Sequence, residues 1–119
     1  MNKEELYTRT EELIQAWKIN QERLIATENN YMDLKATLDI TNAKIESEVA
    51  NQLDINGKPQ FSNADKRNAE VSLRKQEYPM YKQLQEENKQ HHNLMKEIEL
   101  ECNALEMMIK LNTAMIGGQ

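Results

Sequence analysis

Large apolar residues recur every seven positions along the first half of the chain, at Trp17, Leu24, Tyr31, Leu38 and Ile45, with Thr10 opening the series. A second series, Leu13, Asn20, Thr27, Leu34, Thr41 and Glu48, falls between them at alternating spacings of three and four. That alternation is the seam of a heptad repeat, in which one stripe of an α-helix faces a partner helix. The pattern predicts helix over residues 3–53. Glu4, Glu5, Glu11 and Glu12 load its start with negative charge, where the helix dipole is positive. Such a helix is roughly 75 Å long at 1.5 Å per residue. It needs a partner to bury its stripe.

A second seam runs through Tyr81, Leu84, Asn88, His91, Met95, Ile98, Cys102, Leu105, Ile109, Asn112 and Ile116, and predicts helix over residues 80–116. Leu94, Met108 and Met115 widen its apolar face, which suits packing against more than one neighbour. Gly117-Gly118 closes the pattern. The polar residues Asn20, Thr27 and Thr41 interrupt the first seam and read as register-setting layers rather than as chemistry. Trp17 and Tyr31 read as core or interface anchors rather than as a nucleobase-stacking platform.

Between the seams lies a break, Asp54-Ile55-Asn56-Gly57-Lys58-Pro59. Asn-Gly favours positive φ, and proline cannot continue a helix. A small β-hairpin over residues 52–61 is one reading. The flanks lack period-two alternation, so an irregular turn over residues 54–62 is the preferred one. Phe61 is expected to fold back over the end of the helix pair. Ser62 is expected to cap a short helix over residues 63–77, with Asp65 in a capping-box-like position. Within that helix Ala64, Val71, Leu73 and Tyr78 are the candidates for burial. Tyr78-Pro79 then marks a kink or a fresh helix start. The expected fold is all-α, one domain over residues 1–119. It is a long antiparallel helical hairpin or coiled coil that assembles as a dimeric four-helix bundle. A three-helix bundle and a hairpin swapped between chains are the alternatives.

Composition agrees with long helices. Charged residues make up 29% and aromatics 5%, in a chain rich in Glu, Lys, Leu, Gln, Met and Ala. The first thirteen residues do not read as a signal peptide, and no window has the apolar length of a membrane span. A single cysteine, Cys102, precludes an internal disulfide and suits a reducing compartment. The expectation is therefore a cytoplasmic protein with no membrane association.

Charge is unevenly distributed. Residues 1–55 carry six basic and eleven acidic side chains, and residues 83–119 carry three and six. Residues 56–82 reverse the balance, with six basic and three acidic. Lys66, Arg67 and Arg74 in this basic segment are candidates to meet phosphates or an acidic protein surface. The competing reading is a helix face that pairs with the acidic first helix. Lys58, Phe61, Asn63, Lys66, Arg67 and Arg74 are the candidate partner-binding residues.

No catalytic constellation emerges. His91 and His92 are adjacent, so they project about 100° apart on a helix and do not readily share a metal. Cys102 lies three turns beyond His91. The glutamates at 97, 99, 101 and 106 do not form the Glu-x-x-His pattern of di-iron bundles. There is no phosphate-binding glycine loop and no nucleophile elbow. No metal or cofactor is expected, and the protein is expected not to be an enzyme.

The run NGKPQFSNADKRNAEVSLRKQ, with its Gly-Lys-Pro turn, an aromatic, Ser-Asn and an Arg-containing helix, resembles a motif in small coiled-coil proteins of bacteriophages and prophages of Gram-positive bacteria. Those proteins are of unknown function and are often encoded among early recombination and single-strand-binding genes. The resemblance covers about 20 residues and carries no site residues. It points to a phage origin, and with the dimeric bundle expected from the wide second seam the expectation is a homodimeric adaptor or inhibitor acting on a host or phage protein. The alternatives are a nucleic-acid-binding accessory factor for recombination or replication that uses the basic turn, and a structural or chaperone-like coiled coil.

Overall fold

A computed structural model describes residues 2–118, and among them there are three helices. They are α1 (Lys3–Asn51), α2 (Ala64–Glu77) and α3 (Pro79–Gly117). The all-helical expectation holds, with boundaries within two residues of those read from the seams. The first helix stops at Asn51 rather than at residue 53, because Gln52 and Leu53 join the turn. At the other end Asn2 caps it. Its Oδ1 accepts from the Glu5 amide at 2.8 Å, and the Glu5 carboxylate reaches back to the Asn2 amide.

The chain divides into two compact units. The first contains α1 as far as Asn30 and α3 from His91 onward. There the helices run antiparallel, since later residues of α1 meet earlier residues of α3. Trp17 donates its indole N–H to Glu106 at 3.2 Å, and Arg23 lies 3.6 Å from Glu101. Leu6 and Ile98 are each 1% exposed, and Thr10, Leu13, Thr27 and Cys102 are buried with them. The seam threonines cost little there. Thr10 and Thr27 donate their hydroxyls to the carbonyls of Leu6 and Arg23, one turn back, at 2.6 and 2.8 Å.

The second unit spans residues 31–90 and is built on Ile45, Val49, Val71 and Tyr81, with Leu38 and Phe61 packed against them. Phe61 therefore does fold back onto the core. Val49, 1% exposed, takes the place expected of Glu48, which is exposed. The inward-facing positions step from Thr41 through Ile45 to Val49 in fours. A straight helix of 3.6 residues per turn drifts off a strict heptad, and a four-residue step restores the apolar face. In α2 only Val71 is buried. Ala64, Leu73 and Tyr78 are exposed, contrary to expectation, because a single stripe of this short helix meets the core.

The turn is more ordered than an irregular loop. Leu53 and Pro59 form an isolated antiparallel bridge. The Asp54 amide donates to the Lys58 carbonyl at 2.7 Å, and the Gln60 amide to the Gln52 carbonyl at 2.9 Å. Asp54 Oδ1 accepts from the amides of Asn56 and Lys58 at 2.8 and 3.0 Å. Gly57 sits at φ +75°, the left-handed region that a side chain disfavours. The β-hairpin reading thus survives as one bridge.

The cap of α2 is Asn63, not Ser62. Asn63 is extended, with φ −138° and ψ 169°, and its side chain accepts from the Lys66 amide at 2.9 Å. An N-cap must directly precede the first helical residue, which is Ala64. Asp65 then falls in the first turn, where it complements the dipole without closing a capping box. Tyr78, at φ −91° and ψ 102°, ends α2, and Pro79 opens α3. Proline forces its predecessor out of helical geometry and is tolerated at a first helical position. The break at Pro79 is therefore a new helix start.

Candidate interaction surfaces

Four of the six candidate binding residues are engaged within the second unit. Phe61 packs on the core. Asn63 uses its side chain as the α2 cap. Arg67 donates to the Phe61 carbonyl at 3.4 Å. Arg74 is the most committed. It donates to Glu70 at 2.9 Å, hydrogen-bonds Gln52 and lies 5.9 Å from the centre of the Phe61 ring. Much of its guanidinium capacity therefore serves to fasten α2 to the end of α1. Lys58 and Lys66 are exposed, and of these two only the backbone groups enter the turn and cap hydrogen bonds. Of the six candidates, only Lys58 and Lys66 thus present exposed ammonium groups that no described side chain engages, beside a guanidinium already paired with a carboxylate.

An open cleft of about 270 Å³ lies in the same unit, with Lys44, Glu48, Arg74 and Glu77 around Ile45 and Tyr78. Its charged rim alternates in sign, so it presents no concentrated field for an ionic ligand. Among the described residues no group of three or more His, Cys, Asp or Glu side chains is placed to hold a metal ion. No helix of the described chain is long and apolar enough to cross a membrane. Cys102 is buried in the first unit, and burial pushes its thiol above the ordinary value, with Glu106 and Glu101 adding to the effect. It is therefore a poor nucleophile at neutral pH.

The first unit carries an apolar surface of another kind. On α3, Leu100, Met107 and Leu111 are 68%, 72% and 64% exposed, and Ala104 between them is exposed too. Leu94, Met108 and Met115, read from the sequence as widening the buried seam, are also exposed. Reading α3 along one seam overlooked Leu100, Ala104, Met107 and Leu111. Their signal was present. Each stands two residues beyond a buried or half-buried position, at Ile98, Cys102, Leu105 and Ile109.

No family model matches the chain, and comparison with curated proteins and with solved structures returns no similar one.

Proposed function

We propose that this chain is a non-enzymatic helical interaction protein that works as a homodimer, an adaptor or inhibitor whose assembled form engages a second protein. The observation that supports this reading is the exposure of Leu100, Met107 and Leu111 on one helix. Residues three and four apart on a helix are neighbours, so these side chains, with the exposed Ala104 between Leu100 and Met107, make one contiguous patch. Contiguous apolar patches on a lone soluble chain rarely exceed a few hundred Å², and larger ones mark contact sites. A coiled-coil dimer covers such a face with the least additional structure.

Sedimentation equilibrium across a hundredfold range of concentration tests this reading. The expected result is twice the mass of the chain at the upper end. A single-chain mass throughout would contradict it.

A further inference from the structure

We infer that the homodimer forms by antiparallel, back-to-back pairing of α3 with α3 of a second copy, through a seam built by Leu100, Ala104, Met107 and Leu111. The inference rests on the homodimer reading above and specifies its surface and register. At 100° per residue, a displacement of two residues turns the helix by about 200°. The exposed positions therefore stand nearly opposite the inward-facing ones. Their spacings of four, three and four residues are those of a second heptad seam. This helix has two apolar faces. One seam is consumed inside the unit, where Ile98 and Cys102 are buried, and the other is left in solvent.

The chemistry of the exposed seam selects a second copy as its occupant. In an antiparallel pair, each position of one seam series meets the other series on the facing helix. With the twofold axis passing between Leu105 and Glu106, Leu100 meets Leu111 of the second copy and Ala104 meets Met107. Every layer then sets leucine on leucine or a small residue on a large one. The charges agree. Glu97, one turn before the apolar run, comes within a turn of Lys110 of the second copy, and the twofold axis makes this pair twice. Both side chains are exposed and neither takes part in an ion pair among the described residues. A parallel pairing in register would instead set Glu97 on Glu97 and Met107 on Met107. Self-complementarity of this kind is what a twofold interface demands, because the same patch must serve both copies.

Cross-linking reads the register directly. In full-length chains carrying Cys102→Ala, single variants Leu100→Cys and Leu111→Cys are oxidised alone and as an equal mixture. Far-UV circular dichroism first verifies that each retains its helix. The expected product is a mixed disulfide dimer that appears only in the mixture, at least tenfold above either variant alone. Identical positions in this register lie about 16 Å apart along the axis, too far to bridge. Self-linking of Leu100→Cys would show a parallel pair and overturn the inference. A dimeric wild type in which neither position links would place the interface elsewhere, overturning the inference while the homodimer reading stands. A monomeric wild type would overturn both. Independently, Met107→Glu is expected to halve the mass while the helix signal is kept, whereas Leu73→Glu, exposed in the second unit, leaves the mass unchanged.

Discussion

Ile98→Ala is expected to destabilise the first unit by about 2–5 kcal/mol, the range for truncating a large aliphatic in a packed core. Ile98 is among the least exposed side chains in the chain, and it sits in a narrow core whose other members include two threonines. Few neighbours can close over the space. A loss of this size is a large share of the roughly 5–15 kcal/mol that holds a domain together. Leu100→Ala, two residues along the same helix, removes a similar amount of side chain from an exposed position. In dilute protein it is expected to cost less than about 0.5 kcal/mol. At concentrations where the chain dimerises, its cost grows with concentration, because the lost contacts belong to association. Urea denaturation followed by circular dichroism at two protein concentrations checks both statements. Equal losses in dilute solution would mean that the buried face of α3 is misassigned.

The second large effect is expected at Val49→Asp, with a loss of about 4 kcal/mol or more. Val49 packs with Ile45, Val71 and Tyr81, and a carboxylate there is withdrawn from water into a largely apolar cluster. Burial raises the folded-state pKa of such a carboxyl group above its unfolded value. The folded state then binds more protons than the unfolded one between the two values, so part of the stability returns as pH falls. Glu48→Ala, the adjacent exposed position, is expected to stay within about 0.5 kcal/mol of wild type. Thermal melts of the two variants at neutral and mildly acidic pH separate these outcomes. A comparable loss at both positions would restore the strict heptad over the four-residue step.

Those two sites also mark how far the sequence could be read. The seam of α3 was legible from end to end. Every member from Tyr81 to Ile116 is buried or partly buried, because a continuous apolar stripe leaves one choice of face. In α1 the strict heptad failed between Thr41 and Val49, where Glu48 occupies the expected place. There the drift of a real helix outweighs the idealised repeat, and only the apolarity of Val49 hinted at the slip. The cap of α2 was misplaced by one residue, since Ser62 and Asn63 are both good caps and adjacent. The basic residues were legible as charges but not as partners. Arg74 pairs with Glu70 one turn back, which spacing could have suggested, and with Gln52, which only the fold brings near. The exposed seam of α3 was legible and overlooked, because a search that stops at one face per helix does not ask what the opposite face repeats.

Helix α3 commits one face to α1 of its own chain and leaves an apolar stripe of the other in solvent. Gln21→Cys tests the first half of that division with one substitution, since Gln21, half-buried on α1, lies close enough to the buried Cys102 to bear on its thiol. Oxidation with a small-molecule disulfide is followed by mass spectrometry of the unreduced protein. The expected result is an internal disulfide between the new thiol at position 21 and Cys102, with no free thiol and no covalent dimer. Persistent free thiols, or a bond formed only between chains, would contradict the pairing of α1 with α3 inside one molecule.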